Sequence, residues 1–585
     1  MSSTIRLLGE PVILDRDGLL RPVRGHQAWA LLARVLLARR PLDRRSLAAE
    51  LFPETADPLG SLRWCLASLR QALDSSDSLR GDPLEPNLCP GIHVDVWHLD
   101  RDDFDIEQAG ALLGTFAPRC SPEFSTWLLI ERERIAAIVD ARVRQDTIRA
   151  LAVEDYERAI RLAELGVRRE PLTEAAHILL TKSLALAGRQ KAALAHVAVT
   201  EELFLEELGE RPSPDLRAAA RQPVMASPSG ISTAAYVQSM LRSGLAALAA
   251  GVVDVGIEQL RRALRDAERT GDGHLTAMTK MELGTAMVHA CRGHDGEAAI
   301  LLQQAMTLAR GAGRVAIASS ALRELGYVEA LAGQRLAADG YLAAAAEIAR
   351  GDESLAGIRA FQGFNLIGRG DHDGGLRRLE QALGHARAAG NRRNQCWALA
   401  IGAWGLLRAG RLAEAEGWIA GALVLVEAEH WIAFRPWAIA VAGEIRLRRG
   451  ADPAALRPGL EEAFALACQL DDTSWEAACA KVIGLTYAET GEMQRAQLWL
   501  SDALKRSTRN TKRPTTVQVE VLQSKVEVCL RQDDFVAAEA LAREWIAVAA
   551  RMQMDAHVAR AAEVIAQIRP PLEAVQGARR PQAYA

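Results

Sequence analysis

The feature that most constrains the fold of this chain is a glycine that recurs at a nearly constant interval through its second half. The recurring positions, with Gln532 in the eighth place, are Gly251, Gly293, Gly333, Gly370, Gly410, Gly450, Gly491 and Gln532. The successive spacings are 42, 40, 37, 40, 40, 41 and 41 residues. A period of this length indicates one supersecondary unit that is repeated and stacked along the chain.

Two further positions of each unit keep the same register. Five residues after the glycine, every unit has a small residue: Gly256, Ala298, Ala338, Gly375, Ala415, Ala455, Ala496 and Ala537. Nine residues after it, every unit except the one with Gly459 has an apolar residue: Leu260, Leu302, Leu342, Leu379, Ile419, Leu500 and Leu541. Positions four apart lie on one face of a helix, where a small residue allows a second helix to approach closely.

The repeat therefore predicts a stack of about eight helical hairpins, in each of which the glycine ends the first helix in a left-handed conformation. The pattern resembles tetratricopeptide (TPR) repeats with helices longer than those of the usual unit. Gly188, Ala193 and Val197 fit the same pattern further upstream.

The N-terminal region has a different pattern, with short strand-like segments around three helical ones. Strands are predicted at Ile5–Leu8, Val12–Leu14 and Leu19–Val23, helices at His26–Arg39, Asp43–Leu51 and Ser61–Leu73, and a last strand in Ile92–Leu99. A small sheet, three short helices and a terminal β-hairpin predict a winged helix.

We predict a mainly α-helical chain that is divided into five parts. These are a winged helix with a small β-sheet at 1–99, a helical TPR-like domain at 100–221, a linker at 222–235, a C-terminal α-solenoid at 236–568 and a flexible tail at 569–585. The linker is placed where proline, serine and glycine cluster, at Pro223, Ser227, Pro228, Ser229 and Gly230.

Charge is distributed unevenly along the chain, whose formal net charge is −4. Between Arg21 and Leu73 there are nine arginines and four acidic residues, a local excess of +5. A basic region of this kind is where the phosphate backbone of DNA would be held. Double-stranded DNA is therefore the partner predicted for the N-terminal domain.

The sequence contains no recognisable motif for catalysis or cofactor binding. None of its lysines completes a phosphate-binding loop, no serine lies in a G-x-S-x-G elbow, and the eight cysteines form no C-x-x-C pair. We therefore predict a protein that is not an enzyme and binds neither a metal nor a cofactor. Because a signal peptide and a long apolar run are both absent, we expect a cytoplasmic protein without a membrane segment.

The third predicted helix, Ser61–Leu73, carries the most specific side chains. Its leucines at positions 62, 66, 69 and 73 form one apolar stripe that faces a core. Arginine can bond guanine bidentately, glutamine can pair with adenine, and tryptophan or alanine can pack on a thymine methyl group. The alternative is a solvated amphipathic helix, since arginine is frequent throughout the chain. The face opposite the leucines carries Arg63, Trp64, Ala67, Ser68, Arg70 and Gln71.

Residues 1–99 resemble the OmpR-type winged helix of the Streptomyces antibiotic regulatory protein (SARP) activators. The strings that carry this resemblance are Ile5-Arg-Leu-Leu-Gly9, Arg24-Gly-His-Gln-Ala-Trp-Ala-Leu-Leu-Ala33 and Ser61-Leu-Arg-Trp-Cys-Leu-Ala-Ser-Leu-Arg-Gln-Ala-Leu73. Residues 100–221 are similar to the bacterial transcriptional activation domain that follows the winged helix in that family. The strings there are Trp127-Leu-Leu-Ile-Glu-Arg-Glu-Arg134, Glu170-Pro-Leu-Thr-Glu-Ala-Ala-His177 and Glu206-Glu-Leu-Gly-Glu-Arg-Pro-Ser-Pro-Asp-Leu216.

This resemblance implies a transcriptional activator that binds direct repeats upstream of a promoter and contacts RNA polymerase. It also implies two sets of DNA-binding residues. Those expected to face bases in the major groove are Arg63, Trp64, Ser68 and Gln71. Those expected to lie nearer the phosphates are Arg24, Arg44, Arg45 and Arg70.

The chain departs from the family pattern at two points. In the segment expected to form the wing, Leu79–Val94, Arg80 is the only lysine or arginine. The segment also contains Asp82 and Glu85, which would repel phosphates. Larger members of the family carry a nucleotide-binding ATPase module, whose phosphate loop is absent from this sequence. The resemblance therefore does not extend to control by ATP.

Tryptophans cluster in the repeats, where eight of the twelve occur after residue 390. Clustered tryptophans can line a groove for a peptide or an apolar ligand. The alternative is that these large side chains fill gaps between stacked helices that are rich in alanine and glycine. The residues of the predicted groove are Trp397, Trp404, Trp418, Trp431 and Trp437.

The function predicted from the sequence is a DNA-binding transcriptional regulator whose repeats sense a protein partner or a small signal. A homodimer is one form in which the repeats would transmit that signal. The alternative is a TPR interaction scaffold whose winged helix is impaired in DNA binding, and a small-molecule enzyme is the least favoured hypothesis.

Overall fold

The computed structural model describes residues 3–99, 101, 103–116, 118–221, 233–249, 252–290, 295–509 and 515–568. The chain forms two compact units, residues 1–143 and 144–585. The division falls inside one long helix, so the first part of the predicted helical domain belongs to the N-terminal unit and the rest belongs with the repeats. The predicted tail and most of the predicted linker lie outside the described residues.

The N-terminal unit contains a four-stranded sheet and three short helices. Its elements are β1 (Thr4–Arg6), β2 (Val12–Leu14), β3 (Leu20–Arg21), α1 (His26–Leu36), α2 (Arg44–Leu51), α3 (Pro58–Ala72), β4 (His93–Val94) and the first part of α4 (Pro122–Ala152). The strand order is β3-β2-β1-β4. β1 is antiparallel to β2 and parallel to β4, so Ile5 lies opposite both Ile13 and Val94.

Apolar residues of the sheet and of all three short helices form the core of this unit, among them Ile5, Ile13 and Leu66. Asp43 and Asp57 begin α2 and α3, because each carboxylate accepts a hydrogen bond at 2.8 Å from the backbone N–H three residues later. All three predicted helices are present, with ends that differ from the prediction by at most three residues.

The predicted terminal β-hairpin is wrong. The segment after α3 forms the two-residue β4, which is parallel to β1, and then a 3-10 turn at Asp95–Trp97. The buried carboxylate of Asp95 accepts hydrogen bonds from the backbone N–H groups of Leu7 and Leu8, at 2.8 and 2.9 Å. These bonds take donors that a longer strand ladder would use, and the three prolines between residues 79 and 99 remove further donors.

The second unit consists of helices and contains no strand among its described residues. After the end of α4, its helices are α5 (Tyr156–Arg169), α6 (Glu174–Leu186), α7 (Gln190–Leu208), α8 (Pro214–Ala219), α9 (Ala234–Ala249), α10 (Val253–Thr270), α11 (Gly273–Ala290), α12 (Asp295–Gly311), α13 (Val315–Leu331), α14 (Arg335–Ile348), α15 (Asp352–Arg369), α16 (His372–Ala388), α17 (Arg392–Arg408), α18 (Leu412–Ala428), α19 (Arg435–Arg448), α20 (Pro453–Gln469), α21 (Thr473–Glu489), α22 (Met493–Ser507), α23 (Thr516–Arg531), α24 (Phe535–Arg551) and α25 (Asp555–Ile568). Successive helices pack against one another as hairpins. The predicted mainly α-helical fold with a helical-repeat solenoid is confirmed.

The turn glycines of the repeats have the left-handed backbone conformation that the sequence predicts. Their φ angles lie between +74° and +94° at Gly333, Gly370, Gly410, Gly450 and Gly491. Gly251 and Gly293 lie outside the described residues. A residue with a Cβ is strained at such angles, which explains why glycine recurs at this position.

The register of the repeat shifts by one residue in two units. In the eighth unit Asp533, and not Gln532, has the positive φ of +57°, and the buried small and apolar positions move with it to Ala538 and Ala542. In the sixth unit α20 begins three residues after the turn glycine instead of two. Leu460 therefore takes the buried apolar position one residue late, which accounts for the exception in the sequence pattern.

A second set of glycines, which sequence reasoning missed, lets the two helices of a hairpin approach closely. A Cβ added at Gly326 would lie 2.7 Å from Cγ of Leu342, and one at Gly363 would lie 2.6 Å from Cγ of Leu379. The same pairing recurs at Gly244 and Leu260, Gly284 and Leu302, Gly443 and Leu460, and Gly484 and Leu500. The leucines of the predicted register therefore pack directly on a glycine of the preceding helix.

Candidate nucleic-acid interface

Helix α3 exposes the face on which the sequence predicts base contacts. The side chain of Arg63 is 68% exposed, and Trp64 is 58% exposed. Gln71 is exposed as well, and Ser68 is half-buried. On the opposite face the leucines at positions 62, 66 and 69 are buried in the core. The helix is therefore held by its leucines and leaves an arginine, a tryptophan and a glutamine available to solvent.

The N-terminus of α3 positions Arg63. One oxygen of Asp57 caps the helix through the N–H of Gly60, and the other lies 3.7 Å from the Arg63 guanidinium. Because both side chains are about two-thirds exposed, this ion pair contributes little stability and leaves the guanidinium free to move toward a ligand. A depression beside the cap is lined by Arg24, Gln27, Ser61 and Trp64 among others. Sequence reasoning missed Gln27 and Ser61 at this surface.

Three of the four arginines predicted to lie near phosphates are placed at the surface. Arg24 and Arg45 are exposed, and Arg44 is half-buried. The Nε of Arg44 donates to the carbonyl of Gly81 at 2.7 Å, so this side chain also holds the loop after α3. Arg24 and Arg45 are the two that the fold leaves most accessible.

Arg70 is half-buried, like Arg44, and also bonds to the loop after α3. Its Nε and Nη2 donate to the carbonyls of Ser78 and Leu79, at 3.0 and 2.6 Å. Burial, followed by the charges of Arg44 and Arg80, lowers the pKa of this guanidinium. Two of its five N–H donors therefore hold the loop after α3, and the phosphate contact of Arg70 stays a prediction.

The five tryptophans of the predicted groove lie in or against the core of the repeats. Two of them are buried and three are half-buried. Trp397 and Trp404 both lie next to Phe364, with ring centroids 5.9 Å apart in each case. A second group surrounds Phe434. These contacts favour the gap-filling alternative, and a ligand groove stays a prediction.

The repeats contain a buried ionic network that sequence reasoning missed. Arg408, Glu444, Lys481 and Glu520 come from α17, α19, α21 and α23, and their side chains are 12%, 3%, 5% and 8% exposed. Lys481 Nζ lies 2.8 Å from Glu444 and 2.5 Å from Glu520. Burial alone would raise the pKa of Glu444, but Arg408 and Lys481 hold it well below its ordinary value. The intervals of 36, 37 and 39 residues follow the repeat, a signal that could have revealed the network.

Comparison with protein families identifies one part of the chain. The family model described as the bacterial transcriptional activator domain matches residues 109–222. Residues 109–222 are therefore similar to this domain, and are called the activator domain below. The match confirms the resemblance to SARP-type regulators and points to a transcriptional regulator rather than to a class of enzyme. The activator domain begins in the N-terminal unit and continues into the second. No curated protein matches the chain significantly.

Several solved structures are similar to parts of this chain at low identity. A Rap protein complexed with competence and sporulation factor is 11% identical with a TM-score of 0.39, and the match covers 59% of this chain and 99% of that one. The apo quorum sensor NprR from B. thuringiensis is 13% identical with a TM-score of 0.37, and the match covers 63% of this chain and 98% of that one. Mycobacterium tuberculosis EmbR in complex with a low-affinity phosphopeptide is 17% identical with a TM-score of 0.30, and the match covers 38% of this chain and 66% of that one.

Membrane-spanning helices and clustered metal ligands are both absent from the described residues. None of the helices there is both long enough and apolar enough to cross a membrane. The same residues include no group of three or more His, Cys, Asp or Glu side chains arranged to hold a metal ion.

Proposed function

We propose that this chain is a DNA-binding transcriptional activator. The observation that supports the proposal most strongly is the exposed face of α3, where Arg63, Trp64 and Gln71 project from a helix anchored by buried leucines. A tryptophan that is 58% exposed contributes little to the core of its own unit. Its apolar surface is removed from water on binding a partner. The bacterial transcriptional activator domain that follows in sequence supports the same proposal.

In this proposal α3 enters the major groove. Arg63 bonds guanine bidentately, Gln71 pairs with adenine about two turns further along the helix, and Trp64 packs on a thymine methyl group. Arg24 and Arg45 bond phosphates and set the position of α3 along the duplex without reading sequence. The half-buried Ser68 contributes a shorter hydroxyl contact between the two longer side chains.

The remaining parts of the chain convert DNA binding into promoter output. The activator domain contacts RNA polymerase, as its resemblance to the SARP regulators implies, and the repeats from residue 236 to residue 568 sense a partner or a small signal. We propose that the chain is divided, in this order, into winged helix, activator domain, linker and repeats.

Salt-dependent binding of full-length protein to double-stranded DNA tests this function. Affinity is expected to fall as salt rises, because each phosphate contact releases counterions. Arg24→Ala and Arg45→Ala should each weaken binding to all sequences and reduce the salt slope by about 1. Arg377→Ala, at an exposed position on α16, is the matched control and should change neither. Binding that does not depend on salt would contradict the proposal.

The second candidate function is an interaction scaffold with an impaired winged helix. The loop after α3 favours it, since Asp82 and Glu85 lie where a wing would approach phosphates. Arg44 and Arg80 act on Arg70 in the same region and offset part of that negative charge. A full-length protein that shows no salt-dependent DNA binding and yet forms a stable complex with a protein partner would establish the scaffold instead.

A further inference from the structure

The end of α4 together with α5 and α6 shares a hydrophobic core with the repeats. Ile148 and Leu151 on α4 and Leu179 on α6 are buried in the same contiguous cluster as Leu302 and Leu342 of the repeats. α6 also packs directly against α12. The predicted linker separates these segments in sequence, but residues 144–585 form one compact unit. This part of the activator domain is therefore packed against the repeats rather than displayed apart from them.

Two ion pairs join the same segments. Arg144 on α4 pairs with Glu329 on α13, and the two side chains are 12% and 3% exposed. Glu170, which follows α5, accepts a hydrogen bond at 2.5 Å from Arg551 at the end of α24. The partners are 185 and 381 residues apart in sequence. Two pairs of opposite polarity fix the orientation in which the activator domain lies on the repeats.

A third contact lies between the two ion pairs in sequence. Tyr341 on α14 is hydrogen-bonded to Arg149 on α4 and is close to the charges of Arg144 and Glu329. Burial raises the pKa of Tyr341, so its hydroxyl stays neutral at physiological pH. Glu329, Tyr341 and Arg551 each interact with the segment from Arg144 to Glu170, and together they are called the receptor surface of the repeats.

We propose that this receptor surface binds the end of α4, from Arg144 onward, together with α5 and α6 of the activator domain, and that release of these segments raises promoter output. The inference rests on the proposed function and deepens it by naming what the repeats hold. The surface fits a helical segment that presents an arginine to Glu329, a carboxylate to Arg551 and a leucine–isoleucine stripe between them. The apolar stripe supplies most of the affinity, and the charges supply the orientation.

The pair of Glu170 and Arg551 is the one that a mutation can test without unfolding the protein. The two side chains are 29% and 27% exposed, so a reversed charge there remains solvated. Reversing Glu329 would instead leave a charge buried beside Arg144, which is far more destabilising. Charge reversal at Glu170 and Arg551, singly and together, therefore tests this contact without a large loss of overall stability.

The experiment measures hydrogen–deuterium exchange of the α6 amides in the full-length protein, together with output from a reporter promoter. Glu170→Arg and Arg551→Glu should each raise the exchange rate about fivefold and raise output, since a partly exposed ion pair is lost and like charges meet. The double variant restores the attraction and should return both to wild-type values. Glu164→Arg, exposed on α5, and Glu544→Arg, exposed on α24, are matched controls and should behave as wild type.

Single variants that exchange like their controls, or a double variant that fails to recover, would overturn the receptor proposal. DNA affinity of the same variants is measured in parallel and should equal that of wild type. If the wild-type protein fails to bind DNA while the exchange pattern holds, the proposed function fails and the receptor surface stands. If DNA binding holds and the exchange pattern does not, the receptor surface fails alone.

Discussion

The two units use arginine and tryptophan in opposite ways. In the N-terminal unit Arg63 and Trp64 are exposed on a helix that packs through other residues. In the repeats Arg408 and Trp404 are buried, and the indole N–H of Trp404 donates to Glu520 at 2.8 Å. In a chain this rich in arginine, residue type alone does not mark a binding surface. A binding surface is indicated instead by a large or charged side chain that stays exposed and does not contribute to the packing of its own unit.

The largest effect should follow from opening the buried ionic network of the repeats. Lys481→Met removes the ammonium that lies between Glu444 and Glu520 and leaves two buried carboxylates with less compensation. We expect the free energy of unfolding to fall by about 3–5 kcal/mol, measured by urea denaturation followed by circular dichroism. Lys505→Met, at a side chain that is 73% exposed, is the control and should change it by less than about 0.5 kcal/mol.

A buried carboxylate of the repeats should make stability depend on acid pH. Burial would raise the pKa of Glu324, but Arg323 and His289 lower it to about 2 from an ordinary value of 4.5. The unfolded chain therefore binds the proton first, and the stability from this group is present above pH 4.5 and lost as pH falls toward 2. The loss should be about 3 kcal/mol.

Denaturation of wild type and Glu324→Gln between pH 7 and pH 2 measures this contribution. The difference between the two free energies of unfolding should shrink as pH falls through this window. Glu347→Gln, at an exposed position on α14, should run parallel to wild type. A Glu324→Gln difference that stays constant with pH would contradict the assignment.

Close helix packing in the repeats gives a smaller effect with a built-in control. Gly326→Ala would place a Cβ 2.7 Å from Cγ of Leu342, so the hairpin must open slightly. We expect the free energy of unfolding to fall by about 1–3 kcal/mol. Gly340→Ala, also within a helix but with open space around it, should stabilise by up to about 1 kcal/mol. Thermal melting of both variants measures these effects, and equal shifts in one direction would refute the close contact.

The smallest effect on stability should accompany a change in DNA recognition. Arg63→Ala should leave the melting temperature unchanged, because the side chain is 68% exposed. It should weaken DNA binding by about 1–3 kcal/mol through the loss of recognition at one base position. Arg70→Ala should lower the melting temperature, because its guanidinium bonds two backbone carbonyls of the loop, and should leave discrimination between bases unchanged. Titration of each variant against a matched and a singly altered DNA site measures the discrimination. Similar behaviour of the two variants would remove the distinction between them.

The repeat could be predicted in detail because its signals are local. A turn that needs a positive φ favours glycine, and a close helix crossing needs a small residue, so both leave a periodic trace in the sequence. The prediction slipped by one residue where Asp533 takes the left-handed conformation, since no glycine marks that turn.

Long-range hydrogen bonds account for most of what the sequence could not show. The terminal hairpin was excluded by Asp95, which bonds backbone donors 87 and 88 residues away. The bonds of Arg70 to carbonyls 8 and 9 residues away are shorter in range, but they too were not predicted, because that loop has no recognisable pattern. The orientation of the activator domain on the repeats involves ion pairs whose partners are 185 and 381 residues apart in sequence. The exposed face of α3, by contrast, follows from helical periodicity within one segment.

Selection of double-stranded DNA from a random-sequence library by the full-length protein tests the DNA-binding function most directly. Wild type, Arg63→Ala, Gln71→Ala and the control Arg377→Ala are compared at one moderate salt concentration. We expect wild type and the control to enrich the same repeated motif, and each α3 variant to lose preference at one position of it. Failure of wild type to enrich any motif, or an identical motif from all four proteins, would contradict the assignment of α3 as the helix that reads DNA.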